Sequence, residues 1–216
     1  MSARDEIMQR VRAGLGKGDT AVRRAAAEAA MRQPIRGPQP QLDGDLVTRF
    51  ANKAQYLAST VERVAGPAQV PPAVARYLTA QGLPLQAVAT GDLAGLDWPG
   101  VGIESAVRVA VDADKTGISG CFCAIAETGT LLLLSSPQTP GSVSLLPETH
   151  IAIVPVGRIV ATMEDAFALL RSERGKLPRA VNFISGPSRT GDIEQTIVLG
   201  AHGPCRVHLI LVEENL

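Results

Sequence analysis

Glu127 stands alone between two apolar runs, in Ala124-Ile125-Ala126-Glu127-Thr128-Gly129-Thr130 followed by four leucines. An ionised carboxylate is costly to bury unpaired, so Glu127 must reach solvent, a partner or a ligand. Gly129 permits a tight turn beside it. Glu127 fits a general base or an acyl-forming nucleophile. Structurally, it fits a carboxylate that accepts backbone N–H bonds at the turn. A second segment, Ser185-Gly186-Pro187-Ser188-Arg189-Thr190-Gly191-Asp192-Ile193-Glu194, follows the apolar run 180–184. Its hydroxyls, glycines and Arg189 suit an anion cradle for a phosphate or carboxylate. It is not a Walker loop, because no Gly-Lys-Ser/Thr is present. The alternative is a capped loop, with Thr190 or Asp192 starting the next turn. His202 lies in Leu199-Gly200-Ala201-His202-Gly203-Pro204, and His150 precedes the apolar run 151–156. A histidine can serve as acid, base or ligand. Two separated histidines with no spaced carboxylates make no metal site, so no metal is expected. A structural role is the expectation for both, and for His208 inside the last apolar run.

Cys121 and Cys123 are spaced to share one face of an alternating strand. No base lies near them in the sequence, so buried inert thiols are expected. Trp98, in Asp97-Trp98-Pro99, reads as a packing residue. Three cysteines without a Cys-x-x-Cys exclude a disulfide framework and a self-contained four-cysteine cluster. Over 216 residues, 21 basic side chains balance 21 acidic ones, so the basic surplus of a nucleic-acid binder is absent. The balance hides an asymmetry. Residues 1–83 carry twelve basic and seven acidic side chains, and residues 84–216 carry nine and fourteen. The basic N-terminus reads as a solvated helical face, or as a docking arm for an acidic partner or a second copy in a homo-oligomer. Nothing approaches a signal peptide or the roughly 20 apolar residues of a membrane span, so the cytoplasm is the expected compartment.

The elements that position these groups fall into two textures. Residues 1–83 read as helical. Ser2 with Asp5 forms a capping box ahead of Ile7, Val11 and Leu15. An Ala-rich stretch follows over 21–31, then a Pro- and Gly-bearing connector over 34–44. Leu46, Phe50, Ala54, Leu57, Val61 and Val64 predict one amphipathic helix to the Gly66-Pro67 break. Pro71-Pro72 opens a shorter helix that Gly82 stops. Residues 84–216 read as α/β. Strand-length runs at 85–89, 105–111, 131–134, 151–156, 180–184 and 207–212 alternate with turns, and Thr162 with Asp165 opens a helix between two of them. Runs apolar throughout indicate a mostly parallel sheet covered on both faces.

Taken in order, Thr116-Gly117, the Cys-x-Cys, Glu127-Thr128-Gly129-Thr130, Leu146-Pro147 with His150, the Ser185–Glu194 segment and Gly200 with His202-Gly203-Pro204 resemble the LUD-domain family, of the lactate utilisation type. The resemblance covers residues 84–216, and the helical N-terminus more loosely. It implies an α/β sandwich like that of the NagB/RpiA/CoA-transferase superfamily, preceded by N-terminal helices. It implies a part in oxidising L-lactate to pyruvate, beside partner proteins that carry iron–sulfur clusters, with no cofactor in this chain. It implies a small carboxylate or phosphate-bearing ligand near Thr116, Gly117, Thr128, Gly129, Thr130, His150, Ser185, Gly186, Ser188, Arg189, Thr190, Glu194 and His202. Relatives by fold that use a glutamate as acyl nucleophile make Glu127 the catalytic candidate. A stand-alone acyl-transfer or phosphosugar enzyme using Glu127, and an assembly scaffold, remain the alternatives, because fold does not fix function.

Overall fold

A computed structural model describes residues 2–16, 18–32, 37–42, 44–193 and 196–214. The chain makes two compact units, Met1–Pro40 and Gln41–Leu216. The first unit holds α1 (Ala3–Gly14) and α2 (Thr20–Arg32). Ser2 and Asp5 form the expected capping box at the start of α1. Neither helix buries a residue within the described structure, and Ile7, Val11 and Leu15 stay exposed.

The second unit begins with α3 (Leu46–Tyr56), β1 (Thr60–Val64) and α4 (Val70–Ala80). Then come β2 (Gln86–Ala89), β3 (Glu104–Val107), β4 (Thr116–Gly120), β5 (Cys123–Ile125) and β6 (Thr130–Leu134). After these follow α5 (Ser142–Leu145), β7 (Thr149–Pro155), β8 (Ile159–Val160) and α6 (Met163–Arg174). The chain closes with β9 (Val181–Ile184), β10 (Arg189–Ile193), β11 (Thr196–Leu199) and β12 (Arg206–Val212). No helix of the described residues is long and apolar enough to cross a membrane.

Six strands form a wholly parallel sheet in the order β1-β12-β7-β4-β2-β3. A second sheet, β8-β5-β6-β9, is antiparallel except where β8 joins β5. β10 and β11 make a separate hairpin. Alternation along each strand assigns the two cores. Ile118, Ile151, Ile153 and Ile210 face α4. Ala152, Val154, Leu209 and Leu211 face α3 and the second sheet's Ala124, Leu131 and Leu133. The far side of that sheet packs Cys123, Ile125 and Leu132 against Ala166 and Leu170 of α6. The layers therefore run helix, parallel sheet, second sheet, helix, which is the α/β sandwich expected.

The helix expected to run to Val64 ends instead at Tyr56. Leu57 caps it, and Ala58 turns the chain with φ at +67°. The apolar spacing of Leu57, Val61 and Val64 imitates a helix, but Val61 and Val64 face opposite cores, as a strand requires. Pairing of β1 with β12 overrides the local pattern. The boundary between the two compact units falls after Pro40.

Two tight fits have measurable consequences. At Gly117 a Cβ would run into the backbone carbonyl of Val143 and sit 3.1 Å from Pro147. Gly117→Ala must push α5 off the sheet, and is expected to lose about 3 kcal/mol in urea unfolding; an unchanged midpoint would contradict the close packing. The second fit is electrostatic. His150 on β7 and His208 on β12 are buried, and burial pushes each ring down to about 4 from 6.5. His208 stacks on Tyr77 at 4.0 Å and meets Thr60 Oγ1 at 2.8 Å, with Glu62 3.9 Å away opposing the shift. The unfolded chain binds more protons between pH 6.5 and 4, so stability is full above that window and falls as pH drops through it. His208→Gln is expected to flatten that fall, measured as unfolding midpoint against pH.

Candidate functional site

Ligands in open α/β sheets sit beyond the carboxyl ends of strands, where neighbouring connections part in opposite directions. Here that point lies between β2 and β4. The chain leaves β2 toward β3 at one edge, and leaves β4 toward β7 on the other side. A cleft of about 490 Å³ opens there. Thr90 and Asp92 enter it from the end of β2, and Ser119, Gly120 and Cys121 from the end of β4. Ser135, Ser136, Gln138 and Thr139 line it from the segment after β6, and Ser144 from α5. Phe122, Leu133 and Leu134 supply apolar wall, and Arg174 and Lys176 stand at the end of α6. A hollow of about 500 Å³ along α3 is lined only by that helix and its entry, so nothing closes over a ligand there.

Backbone contacts hold the cleft open in a defined shape. Thr90 N donates to the Ile118 carbonyl at 3.0 Å, and Gly91 N to that of Gln138 at 2.7 Å. Gly120 N donates to Thr90 Oγ1 at 3.3 Å. Thr139 Oγ1 donates to the Leu134 carbonyl at 2.7 Å, which folds the 135–141 segment over the mouth. Arg158 binds Glu173 through two nitrogens at 2.6 and 3.0 Å and the Phe122 carbonyl at 2.8 Å. That fork ties α6 to the cleft wall and commits the carboxylate nearest Arg174. Arg174 lies 5.8 Å from the Phe122 ring centre. Among the described residues neither Arg174 nor Lys176 forms an ion pair. Both stay available to an anion.

The residues singled out from sequence are distributed otherwise. Glu127 follows β5, and its backbone N–H bonds the Ala161 carbonyl at 3.0 Å. It does not line the cleft. Gly129, with φ at +69°, lies against the backbone of Lys53 and Ala54 in α3. Thr128, Thr130 and Ser185 form a hydroxyl chain with steps of 2.7 Å. Gly186 presses on the Leu57 carbonyl, and Arg189 donates to that same oxygen at 3.3 Å. The Ser185–Arg189 stretch therefore closes the C-terminus of α3, where a cation is favourable. Ser188 bonds the Pro204 and Gly200 backbones at 2.8 and 2.9 Å, which joins the two loops, while His202 is exposed. Thr190 is the second residue of β10, and Glu194 lies outside the described residues. Thr116 and Gly117 are buried on β4. Of the expected ligand residues within the described structure, His150 alone bonds the cleft lining, through a 2.8 Å hydrogen bond between Nε2 and Ser119 Oγ.

Several polar residues of the cleft carry little signal in the sequence. Thr116 to Gly120 contains one large apolar residue, so the apolar pattern does not mark β4 as a strand. The hydroxyl-rich stretch Ser135-Ser136-Pro137-Gln138-Thr139 after the leucines was the available signal. Cys121 and Cys123 do not share a strand face either. Cys121 lies before β5 and packs toward one core, Cys123 toward another. Desolvation pushes both thiols up, Cys123 to about 11, so neither is a thiolate at neutral pH. Trp98 is buried and donates to the Leu93 carbonyl at 3.1 Å, as a packing residue should. Among the described residues no group of three His, Cys, Asp or Glu side chains is placed to hold a metal ion.

Comparison with known proteins agrees with this architecture. A DUF162-family protein from Deinococcus radiodurans shares the fold, with a TM-score of 0.60 at 24% identity over 81% of this chain and 100% of that one. Lactate utilization protein C of Shouchella clausii is 40% identical over 120 residues, 55% of this chain and 52% of that protein. The proteins of that name from Bacillus subtilis and, as protein C 1, Bacillus mycoides are 38% and 42% identical over 55% and 52% of this chain. The chain matches about half the length of these curated relatives, 55% and 49% for the last two. The LUD domain model matches residues 49–212, from the first turn of α3 to the end of β12. The chain belongs to the LUD domain family.

Proposed function

We propose that this protein serves L-lactate utilisation as a component without a redox centre of its own, and that it binds a small organic anion in the cleft between β2 and β4. The observation that carries the binding is the pair Arg174 and Lys176, unpaired among the described residues, beside the hydroxyls of Thr90, Ser119, Ser135 and Ser144. A guanidinium and an ammonium supply charge for a carboxylate, and the hydroxyls supply directional bonds. Asp92, at the same cleft, offers an acceptor for a ligand hydroxyl. That combination suits a hydroxy acid such as lactate, or its keto product. The relatives named for lactate utilisation support the pathway.

Oxidation of lactate to pyruvate releases two electrons. Three cysteines cannot complete a four-cysteine cluster. The reading therefore sends the electrons to partner subunits bearing iron–sulfur clusters. Acyl transfer by Glu127 gains no support from the geometry, because Glu127 is not among the residues that line the cleft and its turn braces α3.

Two outcomes check the proposal. The purified chain with L-lactate and an artificial electron acceptor is expected to show no turnover; turnover without partners would overturn the component role. Calorimetric titration with pyruvate is expected to weaken about tenfold or more when Arg174→Ala and Lys176→Ala are combined. Equal affinity in the double variant would remove the cleft from consideration.

A further inference from the structure

Ser119 and His150 project from neighbouring strands onto the same face of the parallel sheet. Their Cα partners across the ladder are Ala152 and Gly117, so they meet on the diagonal. Ser119 is 2% exposed and His150 not at all, and Oγ lies 2.8 Å from Nε2. Ser119 lines the cleft, and His150 stands behind it. The other ring nitrogen, Nδ1, is buried with no hydrogen-bond partner among the described residues. Burial also keeps the ring neutral at ordinary pH. The ring therefore carries one proton, and the pair has two possible arrangements.

With the proton on Nδ1, Ser119 would donate to Nε2 and become a nucleophile of the serine–histidine kind. That arrangement strands an N–H donor in dry surroundings, and buried N–H groups without acceptors are rare. It also lacks the third group that orients the base in such pairs. With the proton on Nε2, the ring donates to Ser119 Oγ. Only a lone pair is then left at Nδ1, and the hydroxyl proton of Ser119 is released to bond elsewhere. The free side of Ser119 is the cleft.

We infer that Ser119 is a hydrogen-bond donor to the bound ligand, that its partner is an oxyanion oxygen of a carboxylate or phosphate, and that His150 is the positioning residue that fixes this hydroxyl from behind through Nε2–H. The inference rests on the anion-binding reading above and deepens it. It assigns Ser119 to recognition and not to nucleophilic attack. It also accounts for a fully buried histidine at a ligand cleft that makes no contact with the cleft interior.

Nitrogen-15 spectra of the whole chain labelled at histidine test the proton's seat directly, with His150→Gln identifying the signal. The Nε2–H tautomer at neutral pH is expected, and Ser119→Ala should shift that resonance. An Nδ1–H tautomer overturns the inference. Titrations with L-lactate, pyruvate and inorganic phosphate test the ligand and separate carboxylate from phosphate. Ser119→Ala is expected to weaken whichever probe binds by about tenfold, with an unchanged thermal melt as the control for folding. Undiminished binding by Ser119→Ala overturns the donor role. If the unaltered protein binds none of the three probes, the anion-binding reading fails and the ligand assigned to Ser119 fails with it. The nitrogen spectrum still decides which atom of the pair holds the proton.

Discussion

Along β4 the face turned toward the second sheet carries only Gly117 and Ser119, while the opposite face carries Ile118. A parallel sheet buried on both sides must be covered by something, and small residues let the cover come close. At Gly117 the backbone of α5 fills the space of the missing side chain. Two residues on, Ser119 leaves room that no side chain fills, and the cleft opens there. Both the seating of α5 and the existence of a cleft follow from how little bulk this strand carries.

The second sheet completes the enclosure. Its strands β5 and β6 pack on the parallel sheet through one face and on α6 through the other. α6 delivers Arg174 and Lys176 to the rim, and the Arg158–Glu173 fork holds that end in place. The cations are therefore set by a helix end tied down at two points, while the hydroxyls come from strand ends and from Ser144 on α5. Side chains mounted on such elements keep their geometry better than side chains on free loops. The Ser185–Arg189 stretch has a different task. Its glycine and arginine are spent on the last carbonyls of α3, which locks that helix over the core.

Much of the architecture was legible because apolar pattern carries it. The runs ending in β6, β7, β9 and β12 are apolar enough to declare themselves, and the Thr162–Asp165 and Ser2–Asp5 capping boxes form as written. The site was less legible for a specific reason. The loops with the richest chemistry, 127–130 and 185–190, follow strands of the second sheet and not the parallel strands that end at the cleft. The parallel strand that ends at the cleft, β4, is polar and glycine-bearing and did not look like a strand. Charge density in a loop marks where polar groups are, not what they are bonded to, and here the hydroxyls of Thr128, Thr130 and Ser185 bond one another while Arg189 is held at the end of α3.

By itself the sequence determined the class, an α/β body after basic helices, together with the local caps and turns, since these depend on neighbours a few residues apart. It also limited the thiols to three, too few for a self-contained four-cysteine site. Only the tertiary structure decided that 60–64 is a strand, because its partner β12 lies 148 residues away at Thr60 and His208. Only the tertiary structure set His150 behind Ser119 and left Arg174 facing an open cleft. Those relations arise from strand order and register, which join positions distant in the chain and leave no periodic trace in it.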